Sequence, residues 1–218
     1  MDTRAQRLRH ALQKHDLDGA LISNQQNRRY LSGFTGSAGE LVVTLNKAAL
    51  WTDSRYFLQA ETQLAGSGIA LMRMGEIKAP NIVTWLAHRL PQGSKVGVDP
   101  RMISISQHRL VSGDLSNCEL HLVTAETNLV DKLWEDKPES AGGPIEVHSV
   151  RYAGESVQRK LARLRKAMAD AGATAHVIAA LDSIAWLFNI RGTDVANNPV
   201  VIAYAIVTDN RAVLFTDK

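Results

Sequence analysis

The 218-residue chain has a single cysteine, Cys118, so it can close no internal disulfide. No Cys or His stands near it at metal-ligand spacing, and Cys118 reads as a small core or surface residue. Long apolar runs are also missing. The N-terminal stretch "MDTRAQRLRHALQKHDLDG" alternates charged and apolar residues, which excludes a secretory signal or a membrane span there. A cytoplasmic protein with no membrane partner is the expectation. A surplus of one charge is lacking too: 25 Lys and Arg against 22 Asp and Glu leave a net +3. That is too little to imply a nucleic-acid partner without a localised basic face. Basic residues do gather in Arg4 to Lys14 and in Arg159 to Lys166. There Leu8, Ala11 and Leu12, and Leu161, Leu164 and Met168, recur at helical spacing, so the charges read as wet faces of amphipathic helices.

Signature motifs are absent as well. There is no Gly-x-Ser-x-Gly elbow, no His-Glu-x-x-His pair and no tight Asp/Glu/His cluster. The seven histidines are scattered singly and read as surface or satisfied core residues. The run "YLSGFTGSAGELVV" places Gly33, Gly36 and Gly39 three apart, which is neither the dinucleotide fingerprint nor a P-loop. It also leads into a strand, whereas a phosphate cradle needs a helix N-terminus after the glycines. Backbone geometry is the reading these glycines support.

What is present is an alternation of helices and strands, so an α/β fold with mixed sheets flanked by helices is expected. Helices are predicted near 3–16, 26–31, 54–64, 81–90 and 104–111. Strands are predicted at 20–23, "ELVVTLN", "AALWTD", "IALMRM", "KVGVD" and "CELHLV". Pro138, Gly142, Gly143 and Pro144 mark a boundary, giving a first domain 1–137, a linker 138–150 and a second domain from 151.

After that boundary the pattern starts again. At an offset of 156, "RLRHALQKHDLDGALI" lies over "RLRKAMADAGATAHVI", pairing Arg7 with Arg163, Leu8 with Leu164, Arg9 with Arg165 and Ile22 with Ile178. Tyr30 then meets Trp186. After an eight-residue insertion Thr44 meets Thr208, and Trp51-Thr52-Asp53 meets Phe215-Thr216-Asp217. Two copies of one α/β unit are implied. The second reaches only the equivalent of Asp53, so 151–218 is expected to be the first part of a truncated domain.

In "WTDSRYF" a strand hands over to a helix, with Asp53 or Ser54 as N-cap. This puts Arg55 at a sheet end, where α/β folds place binding groups. An arginine there suits a bidentate contact to a carboxylate or peptide carbonyl, although the residues alone favour a structural ion pair.

The runs "GFTGSAGELVVTLNKAALWTDSRYFLQAETQL", "VGVDP", "NLVDKLWEDKP" and "ALDSIAWLFNIRGTDVANNPVVIAYAIVTDNRAVLFTD" closely resemble the N-terminal part of cytosolic Xaa-Pro aminopeptidases (aminopeptidase P). The resemblance implies two creatinase-type N-terminal domains followed by a C-terminal pita-bread domain that lies outside this chain. That domain would hold two manganese ions activating a water that cleaves the bond before a proline at position two. Homodimers acting on proline-containing peptides are implied as well. On this reading the chain holds no catalytic residue, metal ligand or cofactor of its own and is inactive alone. Arg55 is its substrate-binding residue, with Ser54 standing where many relatives have Gly. A stand-alone interaction module derived by loss of the catalytic domain is the competing reading.

Overall fold

In the computed structural model, residues 3–138 and 142–217 are described. The chain divides into two compact units, 1–137 and 138–218.

Unit 1 runs α1 (Arg4–Lys14), β1 (Gly19–Ile22), α2 (Gln25–Ser32), β2 (Glu40–Thr44), β3 (Ala48–Thr52), α3 (Phe57–Leu64), β4 (Ala70–Arg73), α4 (Ile82–Ala87), β5 (Lys95–Val98), α5 (Ile105–Ser116) and β6 (His121–Thr124). The six strands form one mixed sheet in the order β4-β3-β2-β1-β5-β6. Only β2 runs against its neighbours. The carboxyl ends of the other five strands therefore share one edge of the sheet.

Period-two alternation sorts the strand side chains onto two faces. Ala20, Ile22, Leu41, Val43, Ala48 and Leu50 join Leu8 and Leu12 of α1 and Leu31 of α2 in one core. Leu21, Val42, Ala49 and Trp51 join Trp85 and Leu86 of α4 and Leu115 of α5 in the other. Trp51 and Trp85 meet edge to face at 5.5 Å. Cys118 packs at the margin of this second core.

Several boundaries differ from the sequence reading, each for a local reason. Asp53 caps a short 3₁₀ turn, Ser54–Tyr56, before α3 begins at Phe57. A single helix over 54–64 is broken because Tyr56 sits at φ −118°, ψ 4°. Helix α5 runs past the expected Val111 to Ser116, because the fully buried Leu115 anchors its last turn.

Unit 2 contains β7 (Glu146–Val147), α6 (Val150–Ala153), α7 (Val157–Asp170), β8 (Ala175–Ile178), α8 (Leu181–Leu187), β9 (Ile190–Arg191), β10 (Tyr204–Thr208) and β11 (Ala212–Phe215). The expected linker 138–150 falls partly on residues 139–141, outside the described residues. Within the remainder, Glu146 and Val147 pair with β9.

The duplication seen in the sequence is reproduced bond by bond. Gly19 faces Thr44 and Ile22 faces Leu41 in unit 1, as Ala175 faces Thr208 and Ile178 faces Ala205 in unit 2. The hairpin register also repeats, Glu40 to Trp51 becoming Tyr204 to Phe215. Arg9 Nε donates to the Thr44 carbonyl at 3.1 Å, and Arg165 Nε to the Thr208 carbonyl at 2.9 Å. Arg4 Nη1 donates to the Tyr30 carbonyl, and its counterpart Lys160 Nζ to the Trp186 carbonyl.

Lys160 corrects the reading of its helix. It is buried rather than on the wet face, because its ammonium ties α7 to α8 through the Trp186 carbonyl and Asn189 Oδ1, 2.7 and 2.6 Å away. It also lies over the Trp186 ring, 4.4 Å from the centroid, so the indole face shares in stabilising the buried charge.

The copies differ in their surroundings: β1 pairs with both β2 and β5, whereas β8 is an edge strand, and the second faces of the two sheets are covered differently. The unit 2 face corresponding to the α1–α2 side is buried around Met168, Ile178, Ala205 and Val207. The opposite face carries Val177, Tyr204, Val213 and Phe215, all exposed. These stand in the register positions of Leu21, Glu40, Ala49 and Trp51, the last of which is packed under α4 in unit 1.

Candidate functional site

The carboxyl-end edge of the unit 1 sheet gathers the glycine loop and the Asp53-Arg55 turn. Helix α2 ends at Ser32 with Gly33 in the left-handed conformation, φ 75°. The chain then crosses to β2 as a loop fixed from below by Arg28. The Arg28 guanidinium is buried. It donates to the carbonyls of Gly36 and Gly39 and lies 5.6 Å from the centre of the Phe34 ring. Two backbone acceptors that would otherwise be orphaned are thereby satisfied by one charged donor. Thr52 Oγ1 adds a bond to the Ala38 carbonyl at 2.8 Å.

Close packing explains the loop's small residues. A Cβ on Gly36 would lie 2.2 Å from Phe34 Cζ, and one on Gly39, at φ 153°, would lie 2.7 Å from the Trp51 carbonyl oxygen. The glycines hold this approach of loop to strand; no phosphate site is needed to account for them.

Beside the loop, Asp53 receives Arg55 three times. Its Oδ1 accepts from the Arg55 backbone N–H at 3.1 Å and from Nε at 2.8 Å, and its Oδ2 accepts from Nη2 at 2.8 Å. These bonds hold the Asp53 carboxyl below the usual carboxylate range and raise the guanidinium further above its ordinary value. The Arg55 side chain remains 66% exposed, with Tyr56 under it at 5.2 Å. The Tyr56 hydroxyl meets Ser37 Oγ at 2.6 Å, joining the 3₁₀ turn to the glycine loop. Arg55 is thus a partner in an ion pair, one of the two roles its sequence position allowed, and its side chain stays accessible at a sheet end.

Sequence reasoning located Arg55 but missed Arg28, Ser37, Tyr56 and Glu40. Glu40, the first residue of β2, accepts from Gln107 Nε2 at 3.2 Å. Burial raises its carboxyl above the ordinary value, and the Arg28 charge and the Gln107 bond only partly offset this. For an acid whose folded pKa is raised, the favourable contribution is full below the unfolded pKa and lost as pH rises through the folded one. The stability of the chain relative to Glu40→Gln is therefore expected to fall as pH is raised from about 4 towards neutrality. Urea midpoints of the two proteins across that range check this, and parallel pH profiles would refute it.

Among the described residues no three His, Cys, Asp or Glu side chains come together as a metal ion would require. The described residues therefore do not fit a two-metal centre. No helix is long and apolar enough to cross a membrane among the described residues.

Comparison with known proteins gives a consistent result. Residues 4–133 match the model of the Creatinase/Prolidase N-terminal domain, and residues 136–218 match a second model of the same description. Aminopeptidase P2 of Arabidopsis thaliana is 47% identical over 193 residues, covering 88% of this chain and 27% of the relative. Aminopeptidase P1 of the same plant is 43% identical over 196 residues, covering 90% and 30%. The crystal structure of X-prolyl aminopeptidase from Caenorhabditis elegans, described as a cytosolic enzyme with a di-nuclear active site, aligns with a TM-score of 0.85 at 30% identity. It covers all of this chain, which in turn spans 39% of that structure. The chain spans less than a third of the length of these two plant relatives.

Proposed function

Because the chain belongs to the Creatinase/Prolidase N-terminal domain family, we propose that it is the non-catalytic N-terminal region of an Xaa-Pro aminopeptidase. The observation that carries this is the 47% identity to an aminopeptidase P across 88% of the chain, confined to 27% of the relative. In this reading the C-terminal remainder binds two manganese ions and cleaves before a proline at position two. The present region contributes substrate access and dimer contacts in a cytoplasmic homodimer. The description of the nematode structure as cytosolic and di-nuclear supports the metal-dependent and cytoplasmic parts.

Arg55 is the residue proposed to contact peptide. Its accessible guanidinium, held in one orientation by Asp53, presents a planar donor fork to a carboxylate or a peptide carbonyl. The purified chain, given manganese and the peptide Arg-Pro-Pro, should release no free arginine; metal-dependent turnover not attributable to host enzyme would overturn the reading. In an enzyme joining this region to a metal-binding remainder, Arg55→Ala should raise KM by about tenfold with kcat much less affected, as expected for lost binding of a charged donor. An unchanged KM would remove Arg55 from the peptide site.

A further inference from the structure

Arg28 is a costly residue to bury. Only 2% of it is exposed, and its Nε is buried without a hydrogen-bond partner. What the burial secures is the pair of carbonyls of Gly36 and Gly39. In a looser loop those two acceptors could turn to water with no guanidinium desolvated. A charged fork beneath them holds the loop in one conformation instead, and that conformation reaches Arg55.

Two routes connect the two arginines. The first runs through rings. The Arg28 guanidinium lies 5.6 Å from the centre of Phe34, Phe34 meets Tyr56 edge to face at 6.0 Å, and the Arg55 guanidinium lies 5.2 Å from the centre of Tyr56. All three distances fall within the range of cation–π and edge-to-face contacts. The second route runs through the loop. Ser37 stands between the two glycines whose carbonyls Arg28 holds, and its Oγ is 2.6 Å from the Tyr56 hydroxyl. Thr35, two residues earlier, donates its backbone N–H to Gln63 Oε1 at 2.9 Å, and its Oγ1 accepts from Gln59 and Gln63 Nε2 at 2.8 and 2.9 Å. The loop is therefore tied also to α3, which begins immediately after Tyr56. Asp53 sets the Arg55 guanidinium relative to its own turn, and these contacts set the ring beneath it relative to the loop.

We propose that Arg28 is a positioning residue for Arg55, setting through Phe34, Ser37 and Tyr56 the direction in which the accessible guanidinium is presented. A binding group is only as well placed as the side chains that support it. What this does for a peptide rests on the contact proposed above for Arg55; the positioning itself does not.

The test follows the Arg55 Nε–Hε resonance in the nitrogen-labelled chain. Arg28→Lys keeps the charge but loses the fork that reaches both carbonyls. It should shift or broaden the Arg55 signal and leave the indole N–H of Trp85, in the second core, where it was. Ser37→Ala alters an exposed side chain, should move the Arg55 signal as well, and decides the matter where Arg28→Lys fails to fold. If Asp53 alone holds Arg55, the signal stays in place in every folded variant, and the proposal is overturned. In an enzyme joining this region to a metal-binding remainder, Arg28→Lys should raise KM about threefold or more with kcat little changed, the low end of coupling between contacting residues. In an Arg55→Ala background it should raise KM no further. An equal rise in both backgrounds would mark a purely structural role and overturn the proposal. If Arg55→Ala itself leaves KM unchanged, the peptide contact of Arg55 falls, and the resonance still decides whether Arg28 positions it.

Discussion

Gly39→Ala is expected to destabilise unit 1 by about 2–4 kcal/mol, through the combined cost of a disfavoured backbone conformation and a forced displacement. The added Cβ would meet the Trp51 carbonyl oxygen at 2.7 Å, and that oxygen belongs to β3, a strand with neighbours on both sides. Neither partner is the free end of a flexible side chain, so relaxation has to move backbone. Gly33→Ala is the control. Gly33 also has positive φ, at 75°, but nothing lies within 4 Å of its would-be Cβ, so about 1 kcal/mol of conformational cost remains. Urea unfolding followed by tryptophan fluorescence compares the two, read as a shift in midpoint at unchanged slope. Equal losses in the two variants would show that the contact with Trp51 contributes nothing. Since the same loop carries Ser37 against Tyr56, the Gly39 variant should also disturb the surroundings of Arg55.

The second large effect concerns the two copies of the repeat. Amide hydrogen exchange in β1 and β2 is expected to be about 100-fold slower than in β8 and β10, because local opening free energy follows the apolar contacts an element makes. The β1–β2 and β8–β10 registers are the same, but β1 also pairs with β5 whereas β8 stands at the edge of its sheet, so backbone pairing accounts for part of the expected difference. The second face differs as well. Leu21 and Val42 are buried there in unit 1, whereas Val177, in the place of Leu21, is 67% exposed. Comparable protection in both units would instead favour a stand-alone interaction module, one in which this region folds fully by itself.

Much of the architecture could be read from the order of residues, because it rests on periodicity and on a repeat. The alignment that pairs Arg9 with Arg165 and, past the eight-residue insertion, Thr44 with Thr208 also pairs the two hydrogen bonds they make. Helix ends were read less well. Gly113 offers a stopping signal that the buried Leu115 overrides. Of the candidate groups at the corner of the glycine loop, only the placement of Arg55 at a sheet end was legible, from the strand-to-cap transition before it. Arg28 gave no signal, because its acceptors are the backbone carbonyls of Gly36 and Gly39 and no partner side chain marks them. Lys160 was hidden for a similar reason. One of its acceptors is the Trp186 carbonyl, and a lysine among other basic residues on a helix looks like a wet-face residue.

The triple attachment of Arg55 to Asp53 has a consequence for how a ligand would be sensed there. Asp53 occupies Nε and part of Nη2, which leaves the Nη1 side of the fork open. With a carboxylate at its back, the guanidinium belongs to a pair of zero net charge, whose field falls off faster with distance than that of a lone cation. Such a group attracts little from afar and discriminates at contact, by whether an acceptor arrives in the plane of the fork. If peptide binds at this corner as proposed, added salt should alter its recognition less than a change in the angle of approach, and Arg55 would then serve as a gauge of orientation more than as an electrostatic lure.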